Sequence, residues 1–323
     1  MAGMDSAARS AGAVRAGRRR DAAAVGLPLG ALALMLAAIF AIRPAAFSYF
    51  GITLLFKLAV PLIFASLAQM LVIMLGDIDL SNGAFVGLIS CVTALYLRDA
   101  PARALLIDAA AIAAYAGFGL LIHLRALPSI IVTLGMSFLW LGTAILLLPA
   151  PGGVAPDWLV GFMAWRPPLL PLPIWLALAA AGAGHFVLTR SSYGAVLRGA
   201  GAHPRAIARA GWSLPALRAA TYAGAGLMAT LAGVTLTGLT TSGDPNIAPG
   251  YTLLGVGAVI LGGGAFTGGV VSPVGTVVGA LTLSLAGALL SFLAVPPTWQ
   301  PGAQGAILFL VLAGRVLIAE VTP

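Results

Sequence analysis

The chain has 323 residues, of which 60% are hydrophobic and 8% are charged, and its formal net charge is +8. About a quarter of the residues of an ordinary soluble domain are charged, so this composition, with a mean hydropathy of +1.05, excludes that class and indicates a membrane protein. The apolar runs are rich in Leu, Ala and Gly and lack the polar alternation of barrel strands, which favours membrane helices.

The N-terminal region combines a basic tail with a long apolar run. We expect residues 1–21 to form a disordered cytoplasmic tail. The apolar run that follows is longer than the hydrophobic part of a usual signal peptide, and no small-x-small cleavage site follows it. The sequence therefore predicts an uncleaved first helix.

The apolar segments recur along the rest of the chain as in a multi-pass protein. A helix needs about 20 apolar residues to cross the hydrocarbon core. Runs near this length predict about ten transmembrane helices, at 22–42, 58–75, 84–97, 104–122, 129–149, 169–188, 214–239, 251–264, 273–293 and 302–318. The runs 84–97 and 251–264 are short, and short or interrupted helices often line the pathway in transporters. We predict an all-α polytopic membrane protein with one transmembrane domain over 22–320.

Arginines are distributed unevenly between the alternate loops. With a cytoplasmic N-terminus, most of them lie on the inner side, and the outer side holds only Arg43, Arg98, Arg103 and Arg166. By the positive-inside rule, both termini and the loop 189–213 are predicted to be cytoplasmic, in a protein of the cell inner (plasma) membrane. An anionic inner leaflet then accounts for the basic charge, so we expect no nucleic-acid partner.

Residue types that carry catalysis or bind metals are few. The single cysteine, Cys91, cannot form an intrachain disulfide, and His123, His185 and His203 lack the spacing of a metal site. No glycine-rich stretch ends in the Lys-Ser/Thr of a phosphate-binding loop. We therefore predict no catalytic residue, no metal and no cofactor bound by this chain.

The first polar segment, GDIDLSNG, places Asp77 and Asp79 between two apolar runs. An ionisable group at membrane depth costs about 2.5–3.5 kcal/mol on insertion scales, so these aspartates must be compensated or functional. Three interpretations are open. The segment is a cytoplasmic turn in which Ser81 or Asn82 caps the next helix, a re-entrant bend whose carboxylate and Gln69 face the pathway, or a proton or cation site.

The second polar segment is the predicted inner loop 189–213. Pro204 suits the first position of a helix, and Gly211 lies just beyond the run RAIARA. The sequence predicts a helix of about two turns that presents Arg205 and Arg209 on one side. The alternative is a solvated basic loop that only obeys the positive-inside rule.

The third polar segment, at 262–281, reads GGGAFTGGVVSPVGTVVGAL. It places Gly275 and Gly279 at G-x-x-x-G spacing, which allows close helix–helix approach in lipid. We predict that it serves helix packing.

Together, these segments resemble the permease subunits of ABC importers for monosaccharides, the ribose/xylose/galactose-type inner-membrane permeases. The stretches that carry the resemblance, in the order of the family, are LAQMLVIMLGDIDLSNGAFVGL at 67–88, LPSIIVTLGM at 127–136, YGAVLRGAGAHPRAIARAGW at 193–212 and VILGGGAFTGGVVSPVGTVVGALTL at 259–283. The chain departs from the family pattern at Asp77, usually glycine, at His203, usually asparagine, and at Arg205, commonly acidic.

The resemblance implies a permease subunit of an ATP-driven importer, which forms the pathway for a small sugar delivered by an extracytoplasmic solute-binding protein. A second permease subunit, in a homodimer or a heterodimer, and ATP-binding cassette subunits that use ATP and Mg are the implied partners. Alternatives are related permeases for branched-chain amino acids or nucleosides, and a secondary transporter in which Asp77 or Asp79 couples protons.

Two sets of site residues follow from this resemblance. We expect the translocation pathway to involve Gln69, Asp79, Ser81, Asn82 and Thr133. We expect a cytoplasmic coupling helix and its surroundings to contact the ATP-binding subunit through Gly194, Arg198, Gly201, His203, Pro204, Arg205, Ala206, Arg209 and Gly211.

Overall fold

The computed structural model describes residues 28–296 and, outside this stretch, residues 26, 298–300, 302–306, 309 and 313. The regular elements within the described part of the chain are all helices, as the composition predicts. The predicted tail at 1–21 and most of the predicted last helix at 302–318 lie outside the described residues.

The helices follow one another with short connections. In chain order they are α1 (Pro28–Ile42), α2 (Tyr49–Lys57), α3 (Ala59–Met74), α4 (Asn82–Tyr96), α5 (Pro101–Leu124), α6 (Ser129–Leu147), α7 (Asp157–Ala164), α8 (Leu172–His185), α9 (Ser192–Ala202), α10 (Pro204–Arg209), α11 (Leu214–Thr240), α12 (Tyr251–Leu261) and α13 (Pro273–Phe292). A 3-10 turn at Pro44–Phe47 precedes α2, and a π-helical turn at Phe186–Arg190 continues α8.

Six described segments are long and apolar enough to cross a membrane, while α1, α4 and α12 are shorter apolar helices. The predicted count of ten is therefore not confirmed, although α4 and α12 are short as expected. The second span is longer than the predicted 58–75, because α2 and α3 together form one segment, Tyr49–Met74. Pro61 lies in the first turn of α3, where a missing N–H is tolerated.

Helices α3 and α11 form the centre of the bundle. Fourteen of the 16 residues of α3 and 13 of the 27 residues of α11 are buried, against less than a third in α5, α6 and α8. Helix α11 packs against α3, α4 and α5, and α12 and α13 cover the opposite side of α3. The loop that follows α3, described below, is bonded to α11.

The predicted packing role of the glycine-rich segment is confirmed at the contact between α12 and α13. A Cβ added at Gly275 would lie 1.9 Å from the carbonyl oxygen of Gly262, and one added at Gly279 would lie 2.3 Å from that of Ala258. Such distances leave no room for a side chain, so glycine sets the separation of these helices.

Two loops are joined at the end of α11 that lies farthest from α10. Gly152, between α6 and α7, and Gly243, between α11 and α12, exchange two backbone hydrogen bonds of 2.9 and 2.8 Å. A third bond of 2.9 Å runs from the N–H of Ala155 to the carbonyl oxygen of Thr241. Helix α11 has 27 residues, so this pairing lies about 40 Å from the α10 end.

Candidate functional site

The α3–α4 loop, residues 75–81, is a non-helical bend inside the bundle. Gly76 turns the chain with a φ of 80°, a conformation that favours glycine. Asp77 and Asp79 are 8% and 1% exposed. The capping interpretation of this segment is wrong in its residues, because neither Ser81 nor Asn82 caps α4 with its side chain.

Asp79 supplies the acceptor at the start of α4 instead. Its Oδ1 accepts hydrogen bonds of 2.7 Å from both the backbone N–H and the hydroxyl of Ser81. Its Oδ2 accepts a hydrogen bond from the hydroxyl of Tyr115, on α5. An aspartate that accepts from the N–H two residues later forms a local turn, and here that turn directs the chain into α4.

Side chains from α3 and α12 bind the flanks of the same loop. The Gln69 amide makes two hydrogen bonds to the backbone of Asp79. Its nitrogen donates to the Asp79 carbonyl oxygen and its oxygen accepts from the Asp79 N–H, each over 3.1 Å. The amide of Asn82 donates to the carbonyl oxygen of Ala65 over 2.9 Å. Thr252, on α12, accepts a 2.9 Å bond from the N–H of Gly83.

Helix α6 holds the middle of the loop. The hydroxyl oxygen of Thr133 accepts a 3.0 Å bond from the N–H of Leu80, and that of Ser129 accepts a 3.3 Å bond from the N–H of Ile78. Sequence reasoning missed Ser129, although its spacing of four residues from Thr133 places both hydroxyls on one face of a helix.

The structure thus brings together all the residues expected at the pathway. Gln69, Asp79, Ser81, Asn82 and Thr133 are each at most 2% exposed, and each contacts the loop or belongs to it. Sequence reasoning also missed Tyr115. The one signal in the sequence was a tyrosine hydroxyl within an apolar helix, which needs a hydrogen-bond partner when it is buried. The first three N–H groups of the bend bond back to carbonyl oxygens of α3. The side chains of Gln69, Asp79, Ser129 and Thr133 satisfy N–H groups further along it.

Asp77 has a separate set of partners on α11. Its Oδ2 accepts hydrogen bonds from the guanidinium of Arg218 and, over 2.9 Å, from the hydroxyl of Tyr222. The side chains of Asp77 and Arg218 are 10% and 21% exposed, and Tyr222 is fully buried. The burial of Asp77 is therefore compensated by a cation, a pairing that the sequence did not reveal.

The α9–α10 segment, Ser192–Arg209, contains one more helix than predicted. Helix α9 has eleven residues, and the hydroxyl of Ser191 caps it by accepting a 2.9 Å bond from the N–H of Gly194. Helix α10 has six residues and begins at Pro204, as predicted. Arg205 and Arg209 are exposed on α10.

The residues expected to contact an ATP-binding subunit divide into two groups. Gly194 and Gly201 face the protein, and Arg198 donates a hydrogen bond to the carbonyl oxygen of Leu188. The exposed members are His203, Pro204, Arg205, Ala206, Arg209 and Gly211. The exposed face of α10 is thus basic, and Ile207 packs inward against Gly199.

A glycine junction, made of Gly76, Gly201, Gly268 and Gly269, joins three parts of the chain. The N–H of Gly269 donates a 2.8 Å bond to the carbonyl oxygen of Met74. A Cβ added at Gly201 would lie 1.9 Å from the same oxygen, and one added at Gly268 would lie 3.1 Å from the nitrogen of Gly76. The end of α9, the α3–α4 loop and the α12–α13 loop therefore touch through their backbones.

An apolar groove of about 500 Å³ lies between α3, α8 and α11. Apart from the hydroxyls of Tyr193 and Thr221, its lining is formed by aliphatic and aromatic side chains such as Phe64, Leu176 and Leu227. A small polar ligand would find few hydrogen-bond partners there, so the groove does not have the chemistry of a sugar site.

Comparison with known proteins places these features in a transport system. The sequence model of the family described as the branched-chain amino acid transport system permease component matches residues 51–312. The chain belongs to this permease family. The match includes the α3–α4 loop, the α9–α10 segment and the glycine junction, and it confirms the resemblance to permeases drawn from the sequence motifs.

Curated relatives of this permease include members of two import systems. It is 28% identical over 251 residues to the ribose import permease protein RbsC of Escherichia coli strain K12, covering 75% of this chain and 78% of the relative. It is 27% identical over 285 residues to the autoinducer 2 import system permease protein LsrC of Yersinia pestis strain Pestoides F, covering 84% and 80% of the two chains. No solved structure matches the permease.

Proposed function

We propose that this chain is the permease subunit of an ATP-driven importer that carries a small sugar across the inner membrane. The observation that carries the proposal is the similarity to the ribose import permease, which extends over three quarters of both chains. Ribose is a monosaccharide, and the motif stretches of the α3–α4 loop and the α9–α10 segment lie within the region matched by the family.

The proposed assembly contains a second permease subunit, identical or related, and ATP-binding cassette subunits that use ATP and Mg. An extracytoplasmic solute-binding protein delivers the sugar. A sugar needs polar partners, so the proposal does not place it in the apolar groove between α3, α8 and α11.

In this proposal the α3–α4 loop lines part of the pathway with its backbone. Gln69, Asp79, Ser81, Asn82 and Thr133 hold the bend in a fixed shape and leave few free polar side chains. Alternating access then proceeds by movement of helices around this bend, as small rotations of packed elements.

The α9–α10 segment is proposed as the contact with the ATP-binding subunit. Helix α10 exposes Arg205, Ala206 and Arg209, and its first residue, Pro204, restricts the backbone before any partner binds. A short helix with a basic outer face suits a groove lined by acidic residues.

This arrangement requires the loop 189–213 and both termini to be cytoplasmic. Reporter fusions after Ala200 and after Pro323 should both report the cytoplasm. An extracytoplasmic signal at either position would overturn the proposed orientation.

The function is tested by reconstitution in proteoliposomes with the ATP-binding and solute-binding proteins of the proposed importer. Uptake of ribose-class sugars should require ATP and the binding protein. With ATP held constant, a protonophore should leave uptake unchanged, also for the residual activity of the Asp79→Asn variant. Uptake that collapses with the proton gradient would instead support a proton-coupled secondary transporter.

A further inference from the structure

We propose that Asp77, Arg218 and Tyr222 form a positioning link that transmits movement of the α9–α10 segment to the α3–α4 loop during transport. The inference rests on the proposed function, because it concerns how an ATP-driven movement reaches the pathway. None of the three residues is expected to touch the sugar or ATP, so they act through the loop that they hold.

The first argument is the short path from α10 to the link. Helix α10 ends at Arg209 and α11 begins at Leu214, so only residues 210–213 separate them. Ser213 caps α11 through its hydroxyl and Pro215 lies in its first turn, which fixes where the helix starts. Arg218 lies one turn further on, so a displacement of α10 acts on it through a continuous helix.

The second argument is that the chain reaches the α3–α4 loop both before and after α10, once at Met74, the residue that precedes the loop, and once at Asp77 within it. Before α10, the backbone of Gly201 lies against the carbonyl oxygen of Met74, too close to admit a Cβ. After α10, Arg218 and Tyr222 hold Asp77. The close approach of Gly201 to Met74 resists compression only, whereas an ion pair also resists separation. The link therefore lets the segment pull the loop as well as push it.

The third argument concerns energetics. Burial of an ion pair carries a desolvation cost that often cancels the attraction between its charges. A pair as enclosed as that of Asp77 and Arg218 therefore adds little to fold stability compared with apolar residues of similar volume. It does, however, fix the relative position of two elements, because separating the charges would leave the Arg218 guanidinium without its anion and Asp77 with the Tyr222 hydroxyl as its remaining partner.

The test compares sugar uptake with ATP hydrolysis in proteoliposomes that contain the full complex. The informative variant is the double change Asp77→Asn with Arg218→Leu, which removes both charges and leaves neither unpaired. We expect it to insert and to assemble, and to retain its ATPase activity. Its ratio of uptake to hydrolysis should fall at least about threefold, within the range by which changes along a coupled network act.

A matched control is available in the ion pair of Arg98 and Asp157, which spans 3.7 Å between exposed side chains. The double change Arg98→Gln with Asp157→Asn also removes two opposite charges, but no part of it contacts the α3–α4 loop. Its ratio should equal that of the unchanged protein. The variant Tyr222→Phe removes one hydrogen bond to Asp77 and should lower the ratio of uptake to hydrolysis less than the double change does. It provides a second measurement if the Asp77→Asn, Arg218→Leu variant fails to insert.

The outcomes separate the link from the proposed function. A wild-type complex without ATP-dependent uptake would refute the proposed function. A wild-type complex that couples normally, together with an Asp77→Asn, Arg218→Leu variant or a Tyr222→Phe variant whose ratio is unchanged, would refute the link alone.

Discussion

The α3–α4 loop and the α9–α10 segment are both polar breaks between apolar helices, yet their side chains face opposite environments. In the loop, the carboxyl groups of Asp77 and Asp79 are bonded to side chains of α11 and α5. In the segment, Arg205 and Arg209 are exposed. Polarity in a membrane chain therefore does not by itself distinguish residues that hold the fold from residues that are free to bind a partner.

The difference follows from the backbone of each region. The α3–α4 loop is not helical, so its N–H and C=O groups need partners within the bundle. Side chains of α3 and α6 and the carboxylate of Asp79 supply several of them. The α9–α10 segment is helical and satisfies most of its own backbone. Its polar side chains are consequently available for other contacts.

The largest expected effect tests the buried side of this comparison. Asp79→Ala would remove the acceptor of the Ser81 N–H and of the Tyr115 hydroxyl, and would leave the Ser81 hydroxyl with only the Tyr115 oxygen at 3.4 Å. At about 1–3 kcal/mol for each buried unsatisfied group, we expect the free energy of unfolding in detergent to fall by about 3 kcal/mol or more. Asp157→Ala is the control, because its side chain is 88% exposed, and equal losses in both variants would contradict the network.

A change at Gly201 tests the part of α9 that faces inward. Gly201→Ala places a methyl group 1.9 Å from the carbonyl oxygen of Met74, so the backbones must separate, and overpacking of this kind costs about 1–3 kcal/mol. Gly142→Ala, on α6, meets nothing within 4 Å and should not destabilise the protein. Thermal unfolding of the two variants in detergent gives the comparison, and equal midpoints would contradict the glycine junction.

Thr133→Val should have a smaller effect, because it removes a single acceptor, that of the Leu80 N–H, and keeps the shape of the side chain. We expect a loss of about 1 kcal/mol in unfolding free energy and lower sugar uptake. Thr143→Val on the same helix is the control, since the exposed Thr143 hydroxyl bonds only within α6. If both variants lose equal stability, Thr133 does not hold the loop.

The smallest effect on folding is expected for Arg209→Glu, since exposed substitutions change the free energy of unfolding by less than about 0.5 kcal/mol. Assembly with the ATP-binding subunit should weaken by a few kcal/mol if the contact excludes water, and by less than about 1 kcal/mol if it lies at the rim. The control is Arg125→Glu, which reverses the charge of another exposed arginine on the predicted cytoplasmic side.

Co-purification of the ATP-binding subunit measures this effect on assembly. Equal weakening by the changes at Arg209 and Arg125 would indicate a general charge effect instead of a contact at α10.

Replacing Ala206 with Trp should uncouple ATP hydrolysis from uptake, because the exposed face of α10 would no longer fit the proposed groove of the ATP-binding subunit.

Much of the fold could be predicted from the sequence, because hydropathy and glycine spacing are local signals. The short α4 and α12, the start of α10 at Pro204 and the contact of Gly275 with α12 all follow from residues close together in the chain. The joining of α2 to α3 was missed, since Pro61 and Lys57 suggest a break where the structure has a first helical turn.

The candidate site was predicted only in part. The pathway set does come together around Asp79, but its partner Tyr115 and the Arg218 partner of Asp77 lie on helices distant in sequence. Which helices pack side by side is a tertiary property, and one sequence does not contain it. The same reason explains why the contact of Gly201 with Met74 was not foreseen.

The pairing of Gly152 with Gly243 has a consequence for hydrogen exchange. Loop amides normally exchange with solvent within seconds to minutes, whereas these two are each bonded to the carbonyl oxygen of the other, over 2.9 and 2.8 Å. They open only when two separate loops part together, so their exchange reports one cooperative event. Deuterium uptake at these two positions should therefore be slow and equal, and it would register any movement that separates α7 from the end of α11.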